Sequence, residues 1–125
     1  MPSNPINAYQ TVEKTTASGR ELEAAVLTKG ALLLAEAQQK WDSPERDQLL
    51  ETALTYNQRL WSLFQAELAD PDNPMPEEIK TNLLVLSALV DKRIFEVMAY
   101  PAPEKLNLII NVNRNIAAGL RGDPG

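Results

Sequence analysis

The placement of proline constrains this chain more than any other feature. Its prolines stand at positions 2, 5, 44, 71, 74, 76, 101, 103 and 124. They fall at the ends of periodic segments and never inside one. Proline lacks a backbone donor and clashes with the preceding helical turn, so it suits a helix start and not a helix interior. Within the segments apolar residues recur three and four apart, as in helices with one face turned inward. The pattern predicts an all-α protein.

The first segment, Pro5 to Thr16, carries Ile6, Tyr9 and Val12 on one stripe and predicts a short N-terminal helix. A helix that short is marginal alone and must dock on the rest. Ser18-Gly19-Arg20-Glu21 matches a capping box and marks the start of the second helix. Leu22, Val26, Leu33 and Ala37 form one stripe there; Leu27, Ala31, Leu34 and Trp41 form its neighbour. Gly30 either weakens the middle or admits a close neighbour. Glu36 and Lys40 make a supportive pair one turn apart.

The third helix starts at Ser43-Pro44, with Glu45 and Asp47 at the positive end of its dipole, and runs to about Ala69. Leu50, Ala53, Leu54, Asn57, Leu60, Trp61, Phe64 and Leu68 share one face. The proline-rich stretch from Asp70 to Pro76 ends it. The fourth helix spans Pro76 to Ala99 and carries the densest apolar pattern, which predicts that it is the most buried. Ile79, Leu83, Leu86, Val90 and Val97 form its stripe, widened by Leu84, Leu89, Ile94, Phe95 and Met98. The last helix begins at Pro103, buries Leu106, Ile109, Asn113, Ile116 and Leu120, and is expected to end at Gly119. The expected architecture is one domain over residues 1–125. It is an antiparallel bundle of four main helices plus the short N-terminal helix, with flexible ends at 1–4 and 121–125.

The missing residue types bound the function. The chain has no cysteine and no histidine. Thiol nucleophiles, thiolate metal sites, disulfides and histidine-based nucleophile pairs are thereby excluded. The commonest metal ligand and the side chain that titrates nearest neutral pH go with them. Net charge is −5 and no stretch gathers Lys and Arg, so strong direct nucleic-acid binding is not expected. No apolar run approaches the ~18 residues of a membrane span, and Met1 to Tyr9 lacks a signal-peptide core. A cytoplasmic location is expected.

Candidate chemistry is sparse. Asp70 and Asp72 open like a calcium loop. Pro74 then stands at the fifth position, Met75 where glycine is required, and Thr81 where glutamate closes the site. Adjacent Glu77 and Glu78 point about 100° apart on a helix and read as dipole compensation. No Gly-rich phosphate cradle or nucleophile elbow is present. No enzymatic activity, metal or cofactor is expected. Asn57 and Asn113 each interrupt an apolar stripe. They either bond to each other or to backbone across two packed helices, or sit at a wet edge. An unpaired buried amide would cost about 1–3 kcal/mol. Trp61 and Phe64, with Trp41 and Tyr9, supply most of the aromatic area. They serve the core or line a groove that receives an apolar helix. Arg59 and Arg114 either flank such a groove or are solvated surface charges.

Several of these residues resemble the FlaF family of bacterial flagellar biosynthesis regulators. Asn7-Ala8-Tyr9 with Val12, then Arg20-Glu21 and Glu23-Ala24, is similar to the family's start. Ala53-Leu54 with Asn57-Gln58-Arg59-Leu60-Trp61 and Phe64 resembles its central signature. Asn73-Pro74 with Pro76 resembles the loop that follows. Leu108-Ile109, Asn111, Asn113-Arg114, Ile116-Ala117 and Gly119-Leu120 resemble its C-terminal signature. The resemblance spans about residues 5 to 120. It implies a role in flagellum assembly, with flagellin as partner and the protein as a cytoplasmic secretion chaperone or adaptor. A second role it implies is post-transcriptional control of flagellin messenger RNA, mainly through the partner regulator FlbT. A purely structural subunit of a larger assembly, a homodimer being one form, is a third reading, and the sequence leaves the oligomeric state open. On the first reading Tyr9, Asn57, Arg59, Trp61, Phe64, Asn113 and Arg114 are the candidate partner-binding residues.

Overall fold

A computed structural model describes the backbone of residues 5–122 and the side chains of residues 19–122. Every regular element among them is helical. Helix α1 spans Pro5–Gln39, α2 Arg46–Ala69, α3 Glu77–Ala99 and α4 Leu106–Leu120, with a 3-10 turn at Pro103–Lys105 leading into α4. The separate short N-terminal helix is not confirmed, because α1 runs through Ser18 without a break. Serine and glycine weaken a helix by about 1 kcal/mol at most, whereas proline stops one, so a capping box can lie inside a longer helix.

Short connections turn each helix back on its predecessor. Gln38 near the end of α1 donates to the Pro103 carbonyl (2.9 Å) and to Asn107 (2.8 Å), at the entry to α4. Arg121 at the far end of α4 donates to Thr28 (3.1 Å), a few turns earlier on α1. Those pairings make α1 and α4 antiparallel. Helix α1 packs on α2 and α4, and α3 packs on the same two helices from the opposite side. Helices α1 and α3 therefore lie diagonally, and their backbones do not approach each other closely among the described residues.

The connections follow local chemistry. Ser43 Oγ accepts the Glu45 N–H (3.1 Å) in the turn ahead of α2 but does not cap the helix as expected: α2 begins at Arg46, and Glu45, at its N-cap position, makes no side-chain capping bond. Asp70 Oδ1 takes the Asp72 N–H and Asn73 Oδ1 takes the Met75 N–H, both at 2.9 Å, which ties down the proline-rich loop. Gly119 lies inside α4. Among the described residues the glycine with positive φ is Gly122, at 73°, so the expected C-terminal cap moves by three positions.

The core is made by Leu27, Ala31 and Leu34 of α1, Ala53, Leu54 and Trp61 of α2, and Leu106, Ile109 and Ile110 of α4; Val90, Ile94 and Val97 close it from α3. The expected faces of α2 and α4 are the observed ones. On α1 the stripe of Leu27, Ala31 and Leu34 is central, while Leu22 is exposed and Val26 and Leu33 are half-buried. Helix α3 is the largest departure. It is not the most buried helix: Leu84, Val85, Leu89, Phe95 and Met98 are all exposed. Its many apolar residues encircle it, and the bundle can cover only one side of an outer helix.

Candidate functional site

Two places combine polar and apolar groups in an unusual way. The first is sealed in the centre. Asn57 and Asn113 are completely buried, and their amides join the diagonal helices α2 and α4. Asn113 Nδ2 donates to Asn57 Oδ1 (2.7 Å) and to the Leu27 carbonyl (3.3 Å). Asn57 Nδ2 donates to the Gly30 carbonyl (3.1 Å) and to the Ala53 carbonyl (2.8 Å). Trp61 Nε1 donates to Asn113 Oδ1 (3.0 Å).

These bonds determine one another. An indole N–H can only donate, so Asn113 must turn its oxygen to Trp61 and its nitrogen to Asn57. Asn57 must then present oxygen to Asn113 and nitrogen to the α1 backbone. Among the described residues no buried side-chain N or O lacks a partner. Helix α1 reaches the amides because residue 30 is glycine. A Cβ there would stand 2.6 Å from Asn57 Oδ1 and 2.8 Å from Asn113 Nδ2. Gly30 is thus the close-approach residue, and the two asparagines are bonded to each other and to backbone.

The second place is open. A groove of about 810 Å³ runs between α1 and α2. Leu22 and Val26 form one wall, and Tyr56, Leu60, Leu63 and Phe64 the other. Leu22 and Leu63 are 65% and 66% exposed, far beyond what a closed core would leave. Phe64 is held by an edge-to-face contact with Trp61, at 5.7 Å between ring centres and 88° between planes. It stands between this groove and a second cavity of about 130 Å³ at the end of the bundle, walled by Leu68, Met75, Leu83 and Leu120.

Charges line the groove's edge: Glu23, Glu51, Glu67 and Arg59. Burial, together with the neighbouring Glu67 carboxylate, pushes the Glu23 carboxyl above the ordinary range, and Arg20 opposes the shift. The rim is more acidic than basic. Among the described residues no group of three or more carboxylates is placed to hold a metal ion. No helix there is long and apolar enough to cross a membrane.

A family model described as flagellar protein FlaF matches residues 5–120. The chain belongs to the FlaF family. Searches of curated proteins and of solved structures found no match. In this FlaF chain the signature residues divide by position. Asn57, Trp61 and Asn113 are brought together in the interior, where they bond to one another and have no surface to offer a partner. Phe64 and Arg59 line the groove, half-buried and exposed respectively. Arg114 is exposed on α4, away from the groove lining, and the Tyr9 side chain lies outside the described residues.

Sequence reasoning missed Leu63 and misplaced Leu22. Leu63 stands outside the α2 core stripe, between Ser62 and Phe64, and a large apolar residue off the buried face was the available signal. Leu22 has core spacing, but its side of α1 faces the open groove. Glu23 and Glu67 come together only in three dimensions, from positions 44 apart.

Proposed function

We propose that this protein binds the helical part of a flagellin subunit in the α1–α2 groove, as a cytoplasmic chaperone or adaptor, and does so without catalysis. FlaF membership supplies the flagellar setting. The observation that carries the reading is the open apolar trough whose walls leave Leu22 and Leu63 in water. Exposed apolar surface of this kind, concave and rimmed by charge, suits the apolar face of an amphipathic helix. Client residues three and four apart would lie along Val26, Leu60 and Phe64. Basic client residues beside that stripe would meet Glu23, Glu51 and Glu67 on the rim, and an acidic one would meet Arg59. Such charges set orientation and association rate more than affinity.

The test is titration calorimetry of the full chain with its cognate monomeric flagellin. A one-to-one complex at micromolar concentration is expected. Leu63→Glu and Leu22→Glu should each weaken it at least about tenfold, because a carboxylate would be buried against an apolar client. Their melting temperatures should stay near wild type, since both side chains are exposed. Absence of any complex at micromolar flagellin would overturn the reading. So would groove variants that bind as tightly as the parent. Binding of a FlbT-type regulator in the groove, with none of flagellin, would replace it by control of flagellin synthesis through that partner.

A further inference from the structure

Helix α3 poses a problem that the groove does not solve. From Thr81 to Val90 it contains no charged residue. Ser87, Val90, Ile94 and Val97 face the bundle and are buried. Yet Val85 is 55% exposed, Leu89 45% and Phe95 63%, on the side away from the bundle. A helix that is apolar on both sides is normally covered on both sides. This surface is separate from the α1–α2 groove, since no α3 residue lines it.

The charges bordering the surface indicate what covers it. Glu78, Val85 and Lys92 are spaced seven apart and so lie along one line of the helix. Glu78 and Lys92 are both exposed, and neither has an ion-pair partner among the described residues. By contrast Lys80 pairs with Glu77 (3.7 Å) and Arg93 with Glu96 (3.2 Å) on the same helix. The outer line thus runs acidic, apolar, basic. Such a line is complementary to itself when reversed.

We propose that α3 is a self-association surface, on which a second copy of this chain docks its own α3 antiparallel about a two-fold axis near Val85. Glu78 and Lys92 each lie seven residues from Val85, so the axis brings each Glu78 within a helical turn of the other copy's Lys92. Two equivalent ion pairs then flank an apolar middle of Val85 and Leu89. Ala88, small and exposed, lets the two helix axes approach. Parallel pairing would oppose Lys92 to Lys92 and Glu78 to Glu78, which costs energy at both ends. A two-fold pair is closed, so each molecule's surface is used once and the chain does not polymerise.

The experiment is analytical ultracentrifugation of the full chain across concentration. A reversible monomer–dimer equilibrium is expected for the parent. Val85→Asp should be monomeric with an unchanged helical melting curve. Glu78→Lys and Lys92→Glu should each raise the dimer Kd about tenfold, because one substitution turns two symmetry-related attractions into repulsions. The double variant E78K/K92E should return to the parent's Kd. The chain has no cysteine, so Val85→Cys adds a single thiol, and its oxidised form should be a covalent dimer of unchanged fold.

A parent that stays monomeric up to near-millimolar concentration overturns the proposal, as does a dimer indifferent to Val85→Asp. Failure of the double variant to recover overturns the antiparallel pairing. Loss of flagellin binding in Val85→Asp, with a parent that never dimerises, would assign the surface to the client instead. Groove variants such as Leu63→Glu should leave the dimer intact, so the two surfaces fail or hold independently.

Discussion

Helices α2 and α3 are nearly equal in length, 24 and 23 residues, and both are rich in large apolar side chains. Their fates differ. In α2 the large residues of one face enter the core, and even a polar residue, Asn57, is sealed among them. In α3 a lysine and a serine count among the buried residues while Val85, Leu89 and Phe95 remain in water. Burial here is decided by which neighbours reach a face and not by how greasy that face is. The α2 face meets α1 and α4 across a centre narrowed by Gly30. Helix α3 has the bundle on one side only, so half of its apolar surface has no internal use.

Breaking the sealed centre should give the largest effects. Asn113→Leu removes the acceptor of the Trp61 N–H and the donor to Asn57 Oδ1, and it leaves both groups buried. A loss of about 3–4 kcal/mol in urea unfolding is expected. A change below about 0.5 kcal/mol would mean that water reaches these groups and that the centre is not sealed. Gly30→Ala comes next. Alanine is the better helix former by about 1 kcal/mol, but its methyl would collide with both amides, so a net loss of about 2 kcal/mol is expected. A gain in stability would show that the close approach is not needed.

The outer side of α3 should respond far less. Leu89→Gln is expected to change the unfolding free energy by no more than about 0.5 kcal/mol when measured on monomer at low concentration. A loss of several kcal/mol would erase the contrast with α2.

The smallest effect concerns the groove edge. The folded state holds Glu23 above its ordinary pKa, so its ionised form opposes folding at neutral pH. That opposition vanishes as pH falls through the raised value and the carboxyl takes up a proton. Glu23→Gln should therefore melt slightly higher than the parent at neutral pH, with the difference fading in acid. A difference that instead grows in acid would reverse the assigned sign. Basic client residues over Glu23 and Glu67 should bring the Glu23 pKa down, which a carboxyl NMR titration would register.

Much of the fold was legible because its signals are local. Proline near helix starts, the Ser43 turn ahead of α2 and the three-and-four spacing of Leu50, Ala53, Leu54, Asn57, Leu60 and Trp61 need only neighbouring residues to be read. The extent of α1 was less legible, since a capping box is permitted at a helix start and equally tolerated within a helix. The end of α4 was misread by one turn because two glycines, Gly119 and Gly122, compete for the same role and only backbone conformation separates them. Of the candidate site, Phe64 and Arg59 were read from sequence. Leu22, Leu63 and the Glu23–Glu67 pair were not, because exposure and like-charge proximity are properties of the assembled helices.

By itself the sequence determined that this protein is helical and that proline-marked turns separate α1 from α2, α2 from α3 and α3 from α4. It also determined that cysteine and histidine chemistry is absent, and it identified the two asparagines as out of place in apolar stripes. Only the tertiary structure decided that those asparagines bond to each other through a gap left by Gly30, that the α1–α2 trough stays open, and that α3 turns an apolar side outward. The physical reason is range. Backbone preference and periodicity act within a few residues, whereas burial, amide pairing and carboxylate crowding depend on groups that meet from helices far apart along the chain.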